Sequence, residues 1–396
     1  MMKKKILFVL NNLRVGGAEK ALIALLHEMD FSRYEIDVFL FSHDGNFLKR
    51  LPEQVNLLPA PKNFKYFDRS TKSAIFRNLK KGNFSLALDR WKFSKLLNTE
   101  KNDAVAEQKA WKLLKNHIEN VNEEYEVAFS FLEKTPNYFI IDKVKAKKKI
   151  LTVMTDYQSL GMQKEIDVPY FEKATQIFVL SEENKASLQQ IFPEFREKII
   201  IIENMISEKE VCSLAEEKIE GFPENTFTMV SVGRLVEGKI HEVGVEVMKI
   251  LKDKNLTLNW LILGEGNRRK SIEDKIKVYH LEKYVTLLGE RDNPYPYIKK
   301  ADVFLHLSKF EGYGIAIAEA RILKKCIVLN DFNTASSHIK NGFDGVITSL
   351  NPVEIASEIE KLMLDKNLRK KYEQNVSFDK DFAQKILKKI ENIIEN

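Results

Sequence analysis

Two glutamates, Glu311 and Glu319, lie eight residues apart in the segment FEGYGIAIAEA (residues 310–320), with two glycines between them. The residues before them predict an apolar strand, and those from about Tyr313 predict a helix. Such a turn directs main-chain N–H groups and the positive end of a helix dipole to one point, which suits a phosphate. At 1.5 Å per residue, Glu319 lies about 9 Å from that point, which resembles the span from a diphosphate to the ribose of a nucleotide. The segment predicts a nucleotide site; spacing alone leaves open a capped, solvated helix end.

Two cations, Arg234 and Lys239, follow a predicted strand over residues 226–232 through Gly233. Arginine engages phosphate through two N–H groups and lysine acts as a point charge, so this pair can neutralise a diphosphate leaving group. The alternative for any isolated pair at this spacing is a set of surface charges in a turn.

Glycines follow two further predicted strands. Gly264 and Gly266 come after residues 258–263, where a tight strand-to-helix turn is a sufficient explanation because a lone GxG is a weak signal. Gly16 and Gly17 lie where the first strand passes into the first helix, and they would let a substrate approach the main chain. Glu19 follows them, either as a contact to substrate or as a favourable charge at a helix start.

The segment LTVMTDY (151–157) places Met154 and Asp156 directly after a predicted strand. Glu133, after the strand predicted over 126–131, offers a further polar group at the same edge, with an exposed strand-end carboxylate as the alternative. Asp379 and Asp381 spell DxD, but helix capping explains them. The seven histidines form no zinc-like pattern, so we expect no metal site.

Length and composition indicate a globular protein of two domains. The chain has 396 residues, of which 44% are hydrophobic and 30% charged, and no apolar run approaches the length of a transmembrane helix. The apolar run of residues 6–10 ends at Asn11 and is too short for a signal peptide, so we expect a buried strand. Cys212 and Cys326 form no metal-type spacing, which favours a reducing cytoplasm.

The segment from Lys62 to Lys95 carries ten Lys or Arg residues against two acidic ones, interleaved with seven aromatic residues. Three interpretations remain open: a solvated helical face with a small core of its own, a contact with an anionic membrane surface, or nucleic-acid binding. No recognition motif accompanies the charge, so we expect no nucleic-acid partner.

Strands alternate with helices along both halves of the chain, which predicts two doubly wound parallel sheets with ligand at the carboxyl ends of the strands. We predict an N-terminal domain over residues 1–203, a C-terminal domain over 204–380, and a last helix, within 381–396, that packs back on the first domain. The helix after Glu311 is expected to bury one face, formed by Ile315, Ala318, Ile322 and Leu323.

Taken together, these motifs resemble glycosyltransferase family 4, the retaining sugar-nucleotide transferases of the GT-B fold. Glu311 and Glu319 match the family's E-x7-E motif. Residues 232–235, VGRL, with Lys239, resemble its diphosphate-binding pair, and residues 16–19, GGAE, resemble its first loop. Ile240 departs from the glycine that usually follows the lysine.

The resemblance implies a role for each of these positions. Glu311 would bind the hydroxyls of the transferred sugar and Glu319 those of the ribose. The main chain of Gly312, Tyr313 and Gly314 would hold phosphate. Gly264 and Gly266 would lie beside the nucleotide base, and Gly16 and Gly17 beside donor phosphate and acceptor. Glu311, Arg234 and Lys239 would form the catalytic set.

The implied activity is transfer of a hexose or N-acetylhexosamine from a UDP-sugar, with retention, to a saccharide acceptor. That acceptor would be lipid-linked, at the inner membrane face, in capsule or surface polysaccharide synthesis. No metal or other cofactor is implied. Many relatives carry a histidine where Met154 stands, and methionine cannot bond a sugar hydroxyl as imidazole does. Met154 therefore leaves open a non-catalytic GT-B subunit that supports a partner transferase. A protein Ser/Thr glycosyltransferase is a third alternative, which the sequence does not exclude.

Overall fold

The computed structural model of the protein describes residues 3–14, 16–68 and 82–396. The chain forms two compact units, one of Met1–Met205 with Gln384–Asn396 and the other of Ile206–Ala383. Each contains one parallel sheet with helical connections, the doubly wound architecture expected of the GT-B fold.

The sheet of the first unit has seven strands in the order β3-β2-β1-β4-β5-β6-β7. Their bounds are β1 (Lys4–Leu10), β2 (Tyr34–Leu40), β3 (Asn56–Leu57), β4 (Glu124–Ser130), β5 (Lys145–Val153), β6 (Gln176–Val179) and β7 (Ile199–Ile201). The central strands are apolar on both faces because helices cover a parallel sheet on both sides. Residues 6–10 are fully buried in β1, as predicted.

In the described residues of the first unit, the helices that precede or join these strands are α1 (Gly17–Glu28), α2 (Lys65–Asp68), α3 (Phe84–Thr99), α4 (Asp103–Leu114), α5 (Thr135–Lys143), α6 (Lys164–Lys173) and α7 (Glu182–Ile191). In α1 the apolar face is buried, with Leu22, Leu25 and Leu26 at most 1% exposed. Part of the basic segment, including Arg69, Lys72, Arg77, Lys80 and Lys81, lies outside the described residues.

The sheet of the second unit has six strands in the order β10-β9-β8-β11-β12-β13, and β8 and β9 coincide with the strands predicted over residues 226–232 and 258–263. They are β8 (Phe227–Val232), β9 (Leu258–Leu263), β10 (Val285–Gly289), β11 (Val303–His306), β12 (Ile327–Asn330) and β13 (Val346–Thr348). The helices are α8 (Glu208–Leu214), α9 (His241–Asp253), α10 (Arg269–Val278), α11 (Tyr295–Lys300), α12 (Ile315–Ile322), α13 (Ala335–His338), α14 (Pro352–Leu364) and α15 (Lys366–Asn375).

The predicted face of α12 packs against the core. Ala318 and Ile322 are buried, Ile315 and Leu323 are partly buried against the same core, and Ile317, which was not predicted, is fully buried. Gly314 adopts a left-handed conformation (φ 72°) as the N-cap, so α12 begins at Ile315 and not near Tyr313.

The last helix, α16 (Phe382–Glu395), buries Ile386, Ile390 and Ile394. Its end is bonded to the sheet of the first unit, where Lys4 Nζ lies 2.7 Å from a carboxylate oxygen of Glu395 and Arg33 reaches the same residue at 2.9 Å. Across the described parts of the chain, no helix combines the length and apolarity needed to cross a membrane.

Candidate functional site

Two adjacent strands of the second sheet bring the predicted donor residues to one edge. β8 and β11 pair in parallel, with Val303 opposite Met229, so their carboxyl ends meet. The loop after β8 carries Arg234 and Lys239, and the loop after β11 carries Glu311.

The Lys239 ammonium and the Glu311 carboxylate are in direct contact through Nζ and Oε1. The same oxygen lies 2.6 Å from Nε2 of His306, the last residue of β11. Glu311 and His306 are buried, whereas the Lys239 side chain is 20% exposed. The structure therefore joins two predicted residues, Lys239 and Glu311, through a third, His306, that no sequence motif had indicated.

Electrostatics at this cluster favour neutral forms of its basic groups. Burial, and then the positive charge of Arg234, lower the pKa of Lys239 to about 7. The contact with the Glu311 carboxylate acts in the opposite direction because it favours the ammonium. Burial, followed by the charge of Lys239, lowers the pKa of His306 well below its usual range, so the ring is neutral at neutral pH.

The turn that follows Glu311 packs tightly on His338. A Cβ added to Gly314 would lie 2.9 Å from Cδ1 of Ile317 and 3.0 Å from Nε2 of His338, in a left-handed conformation that L side chains rarely adopt. The His338 ring meets that of Tyr313 edge-on at 5.6 Å. Among the residues that the structure describes, no side chain caps the start of α12, so none of them uses its first N–H groups as a capping residue would.

Glu319 lies further along α12 and is 1% exposed. Its Oε1 accepts a hydrogen bond of 2.8 Å from the hydroxyl of Tyr295, the first residue of α11. A solvated helix end, the alternative that the spacing left open, does not describe this carboxylate.

The glycine pair after β9 supports the loop that carries Arg234. A Cβ on Gly264 would lie 1.9 Å from the carbonyl oxygen of Gly233, and one on Gly266 would lie 2.2 Å from that of Leu235. The Leu235 N–H also donates to the Glu265 carbonyl. Both glycines are therefore needed for close packing of two main-chain segments, whatever role they have beside a base.

The residues around Lys239 leave Arg234 open to solvent, and its guanidinium forms no ion pair with the described residues. The departure at Ile240 is well accommodated, since Ile240 has φ −73° and is 8% exposed. A glycine is not required at that position.

In the first unit, Glu133 organises the loop after β5. Its carboxylate accepts hydrogen bonds from the Met154 N–H at 2.9 Å and from the Thr155 hydroxyl at 3.1 Å. It is 6% exposed, so the alternative of an exposed strand-end carboxylate was wrong. Met154 is buried, and Asp156 accepts from the main-chain N–H of Gln158 at 3.0 Å.

At the start of α1, Gly16 is the N-cap and Gly17 the first helical residue. The Glu19 carboxylate folds back over this start, because a Cβ on Gly16 would lie 2.2 Å from Glu19 Oε2. This geometry fits the interpretation of Glu19 as a charge at a helix terminus.

Neither the residue types nor their spacing in the sequence had indicated that His306, Tyr295 or His338 belongs to the site. A signal for His306 did exist, since it is a polar residue at the carboxyl end of an otherwise apolar strand.

Within the described ranges no group of three or more His, Cys, Asp or Glu residues is arranged to hold a metal ion. Asp379 accepts from the Asp381 N–H at 3.0 Å just before α16.

Comparison with known proteins agrees with this architecture. Residues 214–377 match the family described as Glycosyl transferases group 1. An uncharacterized glycosyltransferase of Methanocaldococcus jannaschii is 25% identical over 262 residues, 57% of this chain and 64% of that protein. A Campylobacter jejuni enzyme, N-acetylgalactosamine-N,N'-diacetylbacillosaminyl-diphospho-undecaprenol 4-alpha-N-acetylgalactosaminyltransferase, is 28% identical over 238 residues, 58% of this chain and 63% of the enzyme. The chain thus aligns with less than two thirds of the length of either relative.

Among solved structures, Anabaena HepE in complex with UDP-glucose superposes with a TM-score of 0.69 at 15% identity, over 98% of this chain and 100% of HepE. At that identity the likeness establishes the fold, which is GT-B.

Proposed function

Because residues 214–377 match the family described as Glycosyl transferases group 1 and the chain has the GT-B fold, we propose that the protein is a retaining glycosyltransferase. It moves a hexose or N-acetylhexosamine from a UDP-sugar to a saccharide acceptor. The observation that carries this proposal is the contact of Lys239 with Glu311 at the uncapped start of α12.

The diphosphate of the donor binds beside Lys239 and Arg234. The exposed Arg234 guanidinium can engage two phosphate oxygens, Lys239 contributes a compact charge, and the first N–H groups of α12 add partial positive charge. As the sugar–phosphate bond breaks, negative charge grows on the diphosphate. Removing one preorganised donor of this kind commonly lowers turnover by about 10²–10³-fold.

The two glutamates then bind opposite ends of the donor. Glu311, beside the cations, accepts hydrogen bonds from hydroxyls of the transferred sugar. Glu319, buried and oriented by Tyr295, accepts those of the ribose. In a retaining reaction the acceptor oxygen attacks the anomeric carbon from the face that the diphosphate leaves. The anomeric carbon–oxygen bond to phosphate breaks, a bond to the acceptor oxygen forms, and the acceptor proton passes to the departing diphosphate.

We assign the acceptor side to the first unit, where Gly16, Gly17, Glu19, Glu133, Met154 and Asp156 are the candidate contacts. Glu133 stabilises the loop that contains Met154, because its carboxylate accepts a hydrogen bond from the Met154 N–H. A lipid-linked saccharide is the acceptor that we favour, because the Campylobacter relative is named for an undecaprenyl diphosphate acceptor. Synthesis of a capsule or other surface polysaccharide is the corresponding process.

An apolar face on α3 supports a location at the inner surface of the membrane. Phe84, Leu88 and Trp91 follow one another at helical spacing and are 67%, 51% and 51% exposed. Lys95 Nζ lies 5.6 Å from the centre of the Trp91 ring. Exposed aromatic residues beside lysines suit the interface of an anionic bilayer.

The activity is tested by incubating the protein with UDP-glucose, UDP-galactose, UDP-N-acetylglucosamine and UDP-N-acetylgalactosamine, with and without an undecaprenyl diphosphate-linked saccharide. We expect UDP release from at least one donor and, by NMR, a product that keeps the donor's anomeric configuration. Glu311→Gln should lower turnover strongly and leave UDP affinity nearly unchanged. Arg234→Ala should lower the affinity for UDP.

An inverted product would overturn the retaining mechanism, and an absence of UDP binding would overturn the donor site. A protein that binds UDP but turns over no donor until a second transferase is added would favour the non-catalytic subunit. Transfer to Ser or Thr of a protein, in place of the lipid-linked saccharide, would favour the third alternative.

The membrane contact is tested by sedimentation with vesicles of phosphatidylglycerol and phosphatidylcholine. Binding should fall steeply with salt, and the pair Phe84→Ser and Trp91→Ser should abolish it. Val278→Ser is the matched control, because Val278 is an apolar residue of the second unit that is 70% exposed. Equal binding by the α3 variant and the control would exclude this face.

A further inference from the structure

One carboxylate oxygen in the second unit has two donors. Glu311 Oε1 contacts Lys239 Nζ and lies 2.6 Å from His306 Nε2, while the two nitrogens are 3.3 Å apart. Glu311 and His306 are 9% and 4% exposed, so water does not readily replace His306 at this carboxylate, whereas the Lys239 side chain is 20% exposed. Within the described part of the chain, no other side chain donates to the Glu311 carboxylate.

The chemistry of the carboxylate fixes the proton on His306. A carboxylate only accepts hydrogen bonds, so the imidazole must carry its proton on Nε2 and donate it to Glu311. Burial and the charge of Lys239 keep the pKa of His306 far below neutrality, so the ring is neutral with a single N–H. Lys239 Nζ and His306 Nε2 therefore lie close together because both donate hydrogen bonds to the same oxygen of Glu311.

The two donors differ in freedom. Lys239 lies on a loop and has a long, flexible side chain, and in the proposed function it also serves the diphosphate. His306 ends a buried strand, and its ring packs against those of Phe304 and Phe332, each at 6.1 Å. When Lys239 turns toward a phosphate oxygen, a buried carboxylate with no remaining donor would lose its orientation or take up a proton.

We propose that His306 is a positioning residue that holds Glu311 toward the transferred sugar while Lys239 engages the diphosphate. The inference rests on the proposed function. It separates the tasks of the cluster: Lys239 serves the leaving group, Glu311 the sugar, and His306 keeps Glu311 in one orientation.

Two amide variants make a matched test. The side-chain nitrogen of His306→Gln can reach the position of Nε2 and donate, whereas that of His306→Asn reaches only about as far as Nδ1. Both replacement side chains are uncharged and polar, so the two variants differ chiefly in how far the amide nitrogen extends from the main chain. The measurements are the Kd of UDP by calorimetry, and kcat and KM for the donor of the panel that the wild-type protein cleaves fastest.

We expect His306→Asn to bind UDP within about two-fold of wild type and to lose about 10–100-fold in kcat, because a displaced positioning contact costs rate more than ground-state binding. His306→Gln should recover most of that kcat. A purely structural role would lower UDP affinity, kcat and the melting temperature together in both variants, and that result would overturn the proposal.

Wild-type turnover in His306→Asn would overturn it equally. Failure of the proposed function is a different result, since the wild-type protein itself would then neither bind UDP nor release it from any donor. The wild-type protein therefore tests the proposed function, and the two His306 variants test the role of His306.

Discussion

The charge state of Lys239 gives a quantitative prediction for nucleotide binding. Burial and Arg234 lower the pKa of this lysine to about 7. The ammonium is the form that binds a diphosphate; it predominates below the pKa and is lost above it, so UDP affinity should fall as the pH rises. With a pKa of about 7, about half of the molecules carry the ammonium at pH 7 and about one in a hundred at pH 9, so the Kd of UDP should rise about 50-fold over this interval.

Calorimetry at pH 7, 8 and 9, in pairs of buffers with different ionisation enthalpies, measures both the affinity and the protons taken up. Binding should take up about half a proton at pH 7 and about one at pH 9, because the bound diphosphate restores the ammonium. The range begins at pH 7 because the terminal phosphate of UDP itself titrates near pH 6, by analogy with phosphorylated side chains.

Lys239→Arg is the matched control, since a guanidinium stays charged throughout this range. Its UDP affinity should be nearly constant from pH 7 to pH 9, with no proton uptake by residue 239. Glu311, Arg234 and His306 face Lys239 and remain in this variant. If the UDP affinity of the wild-type protein does not change with pH, Glu311 keeps the lysine charged. If the affinity falls with rising pH in both proteins, another group is responsible for the titration.

Further variants test the surroundings of the site. Tyr295→Phe should weaken UDP a few-fold but leave 2'-deoxy- and 3'-deoxy-UDP less affected, because it removes the 2.8 Å bond that orients Glu319; equal loss for all three ligands would contradict that role. Gly266→Ala should lower the free energy of unfolding by about 1–3 kcal/mol through its clash with the Leu235 carbonyl, whereas Gly238→Ala, whose nearest neighbour is Phe310 at 3.6 Å, should change denaturant stability little. Activity in excess EDTA should stay within a few-fold of that with Mg²⁺, and loss of activity that a divalent ion restores would refute charge neutralisation by Arg234 and Lys239 alone. Met154→His should change turnover several-fold in either direction, and unchanged turnover would separate this position from the sugar.

The strands of the second unit were predictable because each is a short apolar run bounded by polar or glycine residues. Residues 258–263 are an example, with Leu258 and Ile262 at most 1% exposed and Gly264 directly after them. In a parallel sheet covered by helices, hydrophobicity alone marks such strands. The strand β7 (Ile199–Ile201) was not assigned, since three residues between a helical turn and a loop give too short a pattern.

The start of α12 could not be predicted to the residue. Sequence pattern placed it near Tyr313, while the left-handed Gly314 delays it to Ile315. Ile317 is fully buried, and Ile315, the first residue of the helix, is partly buried against the same core. Glycine identifies a position that can adopt a positive φ but does not say whether the chain uses it.

The partners of the two glutamates were beyond sequence reasoning for a different reason. Tyr295 meets Glu319 across 24 residues, and Lys239 meets Glu311 across 72. Those contacts depend on the order of strands in the sheet, which sets β8 beside β11. The pattern after each strand indicated which side chains can bind a diphosphate, but not which of them bind one another.

The contact between Lys239 and Glu311 changes how the charge of the site should be counted. A sequence with Arg234 and Lys239 on one loop suggests two positive charges for a diphosphate, yet the carboxylate beside Lys239 cancels much of one of them. Breaking a buried ion pair is costly when one charge is left without a partner. The donor must therefore compete with Glu311 for the lysine, and His306 limits the cost because it still donates to the carboxylate that the lysine leaves. By this reasoning the exposed Arg234 contributes more to the initial capture of UDP, and Lys239 more to the stage at which the sugar–phosphate bond breaks.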